Sequence, residues 1–308
     1  MLGALIVDKP AGITSHDVVA RVRRVAATRR VGHAGTLDPF ATGVLVVCVG
    51  KATRLAQFLV GLDKEYQATV RFGFATDTQD LTGKQITPLE ASKQASLEEL
   101  RQVVSEFAGP QLQTPPMFSA KKVGGERLYK AAREGRDVPR AAVPVTIHSI
   151  ELNRAEEMLV RENADGTMDV GLLIRCSSGT YVRTLANDIG DRLGLGAHLA
   201  ALRRTAVGHF KIDQAVTLEA LENMTRDEAI GRALISPSDL VGHLPALRLD
   251  REGASRVMTG RSIEPASVIE ADEQYVRLCD EAGALLAVGV YEAATRMVRP
   301  RVVLDGKD

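Results

Sequence analysis

Gly32-His33-Ala34-Gly35-Thr36-Leu37-Asp38-Pro39-Phe40-Ala41-Thr42-Gly43-Val44-Leu45 is a loop that empties into a buried strand. Two glycines and a proline fall within its first eight residues, so no regular element fits there. From Val44 to Val49 the chain is a near-continuous apolar run of strand length. Upstream lies the basic pair Arg29-Arg30. Before it, Val18, Val19, Val22 and Val25 recur at helical spacing, with Ser15 as the expected N-cap and an end near Ala26. An Asp before Pro in such a place is ordinarily a turn former. Loops on rigid scaffolds also carry catalytic groups, so Asp38 is a candidate for chemistry.

Outward from this stretch, the pattern alternates. Residues 3–7 read as a short buried strand. A helix pattern covers 51–60 and a strand lies around 65–73. Ser96 and Glu99 form a capping-box pattern before an amphipathic helix to about Phe107. Strands follow near 143–152 and 168–176, and Ser177-Ser178-Gly179 opens a helix over 180–193. The result is a mixed α/β (α+β) core. Residues 113–140 break the pattern with Pro115-Pro116, Gly124-Gly125, a short helix around 126–134 and few core-grade side chains. They read as an insertion. Near 243 the pattern changes again, to one short helix over 251–259 and strands over 275–279, 284–291 and 296–304. The domain reading is therefore 1–240 and a small β-rich domain over 243–305.

Lys plus Arg equals Asp plus Glu at 39 each, so net charge selects no partner. Local balance does. Residues 20–55 hold seven basic side chains and one acidic, and residues 119–140 hold seven and three. Residues 241–308 hold nine basic and eleven acidic. A polyanion site is expected as a patch outside the C-terminal part. Cys48, Cys176 and Cys279 lie far apart, without zinc spacing or a disulfide framework. No signal peptide and no apolar run of about 18 residues is read, so the cytosol is expected and a membrane is not. Gly50-Lys51-Ala52-Thr53 fails as a phosphate loop, because Leu45 replaces glycine and Ala52 stands where a magnesium-holding hydroxyl is needed.

The loop at 32–45 closely resembles the signature loop of the TruB-type tRNA pseudouridine-55 synthases. Asp8-Lys9-Pro10-Ala11-Gly12-Ile13-Thr14-Ser15, Lys64-Glu65-Tyr66, Thr76-Asp77-Thr78-Gln79-Asp80 with Gly83, Pro115-Pro116-Met117-Phe118-Ser119-Ala120-Lys121-Lys122 and Cys176-Ser177-Ser178-Gly179-Thr180-Tyr181-Val182-Arg183-Thr184-Leu185 resemble its other motifs, in order. The resemblance implies a pseudouridine-synthase-type mixed sheet flanked by helices, an RNA-clamping insertion and a PUA-like C-terminal domain. It implies isomerisation of uridine in the TΨC loop of tRNA by a covalently acting aspartate, with no cofactor, no metal, no obligatory protein partner and a monomeric enzyme. That aspartate is Asp38. The departure is Phe118, where the family has Tyr.

Such chemistry has physical needs. A base stacked in a folded loop must be flipped out. His33 resembles the family residue that fills the gap, and otherwise is a loop hydrogen-bonder. Tyr66 offers the extruded base an aromatic face, and otherwise is a core aromatic. An ionised nucleophile in a partly dry pocket calls for a guanidinium within about 4–6 Å. Arg183 matches, whereas Arg192 and Arg204 read as solvated. Tyr181 and Leu202 are expected to shape the pocket. Asp80 is expected to hold an RNA or protein hydrogen bond beside it. Arg29, Arg30, Lys121, Lys122, Arg127, Lys130 and Arg133 are the expected phosphate contacts, since structured RNA is held mainly through backbone and shape. Two other classes compete: an RNA chaperone with idle catalytic remnants, and a small-molecule α/β enzyme. The intact Asp38, Tyr66 and Arg183 set speaks against the first, and the basic insertion against the second.

Overall fold

The computed structural model describes residues 1–90, 95–119, 121–153, 160–265 and 271–304, with the side chains of Lys122, Val123, Arg127 and Arg133 outside the described part. The chain forms two compact units. One comprises Met1–Asp38, Leu45–Val60 and Ile212–Asp308, and the other Pro39–Val44 and Gly61–Lys211.

The first unit opens with β1 (Gly3–Lys9), two residues longer than the apolar run suggests. The extension is possible because buried Lys9 donates to the carbonyls of Pro10 and Ile13, both at 2.8 Å. Helix α1 (Ser15–Val25) is capped by Thr14 and not by Ser15. Thr14 and Asp17 form the reciprocal box: the Thr14 hydroxyl oxygen accepts from the Asp17 N–H at 3.1 Å, and the Asp17 carboxylate accepts from the Thr14 N–H at 2.8 Å. Val18, Val19 and Val22 turn inward against Leu5, Val7, Leu45, Val47 and Val49. Each such valine contributes about 1.5–3 kcal/mol of burial. Strand β2 (Val31–His33) pairs antiparallel with β3 (Thr42–Val49) in the register Val31↔Val49 and His33↔Val47. The expected helix after β3 is a 3-10 helix, Gly50–Phe58.

The C-terminal part of this unit has its own four-stranded sheet, ordered Ala246–Arg248, Tyr275–Cys279, Leu285–Glu292, Met297–Val303. Leu247, Val257, Val276, Leu278, Ala287 and Val298 form a separate core. Three of these strands match the sequence reading within about a residue at most ends, and Ala246–Arg248 was not foreseen. The sheet rests on the 3-10 helix. Arg54 donates to the Val303 carbonyl at 2.8 Å, and the Phe58 and Tyr275 rings meet edge to face at 5.1 Å.

In the second unit, β4 (Lys64–Phe72) leads to α2 (Leu97–Glu106) with its Ser96–Glu99 capping box in place. Then come β5 (Gly109–Gln113), the hairpin of β6 (Lys122–Val123) and β7 (Glu126–Arg127), α3 (Leu128–Arg133), β8 (Val143–Leu152), β9 (Val160–Glu162), β10 (Met168–Cys176), α4 (Val182–Leu193) and β11 (Ala197–Val207). The strand order is β11-β4-β10-β8-β5, all antiparallel neighbours. The mixed character enters where Thr42 and Gly43 pair in parallel with Arg203 and Arg204. Gly43 has φ +102°, and a Cβ there would stand 2.1 Å from the Arg204 carbonyl oxygen. Only glycine admits that approach.

Arg204 is not solvated. It is 1% exposed and donates through Nε to the Val44 carbonyl at 2.8 Å. Its strand is paired on both sides, with β4 and with Thr42–Gly43, so alternate side chains turn inward whatever their charge. Arg192 does lie at the surface, paired with Glu106 at 3.0 Å.

Candidate active site

In the first unit the hairpin loop after His33 is fastened from two sides. The Ala34 N–H donates to the Val46 carbonyl at 2.9 Å. Ser15, released from capping, is buried and turned toward Leu37. Its hydroxyl donates to the Leu37 carbonyl at 3.2 Å, and its oxygen accepts from the Leu37 N–H at 3.0 Å. Both polar groups of one loop residue are thus held by a single side chain 22 positions away. Leu37 is buried, and Asp38 beside it is partly exposed. The motif containing Ser15 and the motif containing Asp38 meet through these bonds. His33 meets the ring of His16 edge to face, 5.4 Å between centroids at 82°.

In the second unit Arg183 and Asp80 form a buried ion pair, 4% exposed each. Arg183 is the second residue of α4. Its Nη1 donates to Asp80 Oδ2 at 3.3 Å and to the Thr78 carbonyl at 3.0 Å, and its Nη2 to the Phe118 carbonyl at 2.7 Å. The guanidinium therefore ties together the loop after β4, the start of the insertion and the helix. Burying two charges is costly unless the remaining hydrogen-bonding positions are filled. They are filled here: Asp80 Oδ1 accepts from the Thr78 hydroxyl at 2.8 Å, the Thr82 N–H at 2.9 Å and the Thr82 hydroxyl at 2.6 Å. Of the two partners expected for Asp80, RNA or protein, the structure supplies protein.

Of the rest of the expected set, Tyr181, Tyr66 and Leu202 also belong to the second unit. Tyr181 is the residue before α4, and its backbone N–H and carbonyl are both engaged by the Gln113 amide, at 2.8 and 3.0 Å. Tyr66 lies opposite Arg204 on one side and Ile174 on the other. Leu202 lies opposite Ala68, two residues on, so Tyr66, Leu202 and Arg204 share one face of the sheet. Beside Tyr66, burial pushes the Lys64 ammonium down to about 8, helped by the Arg204 charge. Arg29 and Arg30 are exposed, Lys130 is exposed and Lys121 is half-buried. In the insertion, Arg136 takes Glu126 at 2.7 Å and Glu134 at 2.6 Å.

Sequence reasoning missed Ser15 as a loop anchor, Gln113, Thr82 and the buried Arg204. Ser15 and Thr82 stand within or beside matched motifs. Gln113 and Arg204 carry no signal of their own.

Comparison with known proteins follows the same lines. The chain covers, over its whole length, 84% of a chain in a solved Cbf5–Nop10–Gar1 complex, with a TM-score of 0.72 and 26% identity. The fold is shared with an H/ACA RNP bound to a substrate RNA containing 2′-deoxyuridine, with a TM-score of 0.74, 24% identity and coverage of 100% and 86%. The class is set by family models. That of the TruB family pseudouridylate synthase N-terminal domain matches residues 23–182, and that of the tRNA pseudouridylate synthase B C-terminal domain matches residues 183–241. The chain belongs to the TruB family of pseudouridylate synthases. Relatives include tRNA pseudouridine synthase B of Geobacter sulfurreducens, 46% identical over 84% of this chain and 82% of that one. The protein of the same name from Geobacillus thermodenitrificans is 40% identical over 97% and 98%.

Proposed function

We infer that the chain isomerises uridine to pseudouridine at position 55 in the TΨC loop of tRNA, with Asp38 as the nucleophile. Membership in a family of pseudouridylate synthases carries the reaction class. In that reaction the N1–C1′ bond breaks, the uracil turns, and a C5–C1′ bond forms while the C5 proton is lost and N1 gains one. Nothing is oxidised or reduced, so acid–base and nucleophilic groups suffice, and the reading calls for no cofactor and no metal. What supports Asp38 is its loop: a carboxylate held next to a buried anchor, partly open to solvent, on a hairpin fixed by Ser15. Tyr66, Tyr181, Leu202 and Arg183 would bind the extruded uridine and its neighbours, Asp80 would hold Arg183 in place beside them, and His33 would occupy the gap the base leaves. Arg29, Arg30, Lys121, Lys122, Arg127, Lys130 and Arg133 would take phosphates of the TΨC arm.

The enzyme works as a cytoplasmic monomer without an obligatory protein partner in this reading. The domain over 243–305 serves as a PUA-like contact to the remainder of the tRNA, with residues 1–240 catalytic. Among the described residues no helix is long and apolar enough to cross a membrane. The test is pseudouridine formation on an unmodified tRNA transcript. Asp38→Asn should keep the fold and the RNA affinity while abolishing turnover, because it removes charge and nucleophile at nearly constant shape. Residual activity within about tenfold of wild type would remove Asp38 from the role.

A further inference from the structure

Asp80 and Arg183 touch through one atom pair at 3.3 Å, a long contact that a small turn of the carboxylate would open. The opposite oxygen, Oδ1, receives three donors from two residues: both the N–H and the hydroxyl of Thr82, and the hydroxyl of Thr78. Three short bonds on one oxygen fix the plane of the group and leave Oδ2 directed at Nη1. Thr78 acts twice, because its carbonyl accepts from that same Nη1. The loop is shaped to keep this arrangement. Gln79 adopts φ +61° and accepts from the Thr184 hydroxyl on α4 at 2.9 Å. The Asp80 carbonyl accepts from the Thr76 hydroxyl at 2.8 Å and from the Gly83 N–H at 3.2 Å. A Cβ at Gly83 would stand 2.4 Å from Thr78 Oγ1 and 2.9 Å from Thr78 N, so any side chain there would press on the hydroxyl that holds Asp80.

We propose that Thr82, with Thr78, is a positioning residue for the reaction: it sets the orientation in which Asp80 presents Oδ2 to Arg183. The proposal rests on Asp80 and Arg183 serving the uridine site. Thr82 suits a decisive test because it is exposed, so replacing it opens no cavity. Thr82→Val removes the hydroxyl, keeps the N–H and keeps the shape. It should lower kcat about tenfold well below the unfolding temperature, with KM for tRNA unchanged, and lower the melting temperature by roughly a few degrees, the stability effect of one hydrogen bond to a charged group. Thr82→Ser restores the hydroxyl and should restore kcat to within about twofold of wild type. In an Asp80→Asn background, Thr82→Val should have no further effect, because the group it orients is already altered. A Thr82→Val enzyme with wild-type kcat beside an inactive Asp80→Asn enzyme would overturn the proposal, as would additive losses in the double variant. Full activity of Asp80→Asn would instead overturn the site reading on which it rests.

Discussion

Replacing Arg183 by lysine keeps the positive charge and should nevertheless disable the protein in a measurable way. Arg183 spreads its contacts over two nitrogens: Nη1 serves Thr78 O and Asp80 Oδ2, and Nη2 serves Phe118 O at 2.7 Å. A lysine carries one nitrogen. It can follow one side of that fork and must abandon the other. If it stays with Asp80, the bond to Phe118 is lost; if it moves to Phe118, a carboxylate 4% exposed is left without its cation. The loss of one charged hydrogen bond costs about 1.5–3 kcal/mol. Stranding the carboxylate costs about 3–5 kcal/mol, and that is the expected figure for Arg183→Met. Arg183→Lys should therefore lose about 2–3 kcal/mol in urea unfolding at constant m. Its single-turnover rate on tRNA should fall by at least about tenfold. Combining Arg183→Met with Asp80→Leu should recover much of the stability, since an apolar pair can replace a buried ionic one, without recovering turnover. A lysine variant within about 0.5 kcal/mol of wild type and equally fast would refute the reasoning, because the fork would then be dispensable.

Gly43→Ala should prevent stable folding or cost more than about 4 kcal/mol, since its Cβ would fall 2.1 Å from a backbone oxygen at φ +102°; a soluble variant with an unchanged melting temperature would contradict the strand pairing. Lys64 makes the stability depend on pH in a stated direction. Its folded value of about 8 lies below the ordinary lysine value of 10.5, so the unfolded chain binds more protons between them and stability rises with pH from about 8. Lys64→Met should flatten that rise over about pH 8–9, before the cysteines, with Cys176 pushed by burial to about 11, add the opposite slope. Truncation after Leu240 should leave kcat intact and raise KM for whole tRNA, with little change on an isolated TΨC stem-loop; an equal loss on both substrates would remove the remote-contact role.

Elements with local signals were readable in the sequence. The apolar run 44–49, the Ser96–Glu99 box and the glycine that ends α4 at Gly194 (φ +68°) all act through neighbours in the chain. β11 was not, because Ala197–Val207 is rich in alanine, leucine and arginine and becomes a strand only by pairing with β4 and with Thr42–Gly43. The same non-local pairing buried Arg204. Thr14 and Ser15 are equally good caps on paper; what separates them is Leu37, whose backbone claims the serine. In the site, residue types were legible through motif order, and partners were not. Asp80 was expected beside the site, yet its bond to an arginine 103 positions later depends on the closed fold.

Arg183 grips residue 118 by its carbonyl, an atom that every amino acid possesses. The junction of the insertion with the sheet is thereby written in main chain, where side-chain drift cannot erase it. Phe118 offers Arg183 its main-chain carbonyl, so exchanging the ring at this position leaves the arginine's acceptor in place. Substitutions that preserve the path of the backbone are absorbed, whereas one that redirects it, such as a proline at 119, would remove the Ser119 N–H bond to the Met117 carbonyl and unfasten the insertion without touching any charged side chain of the site.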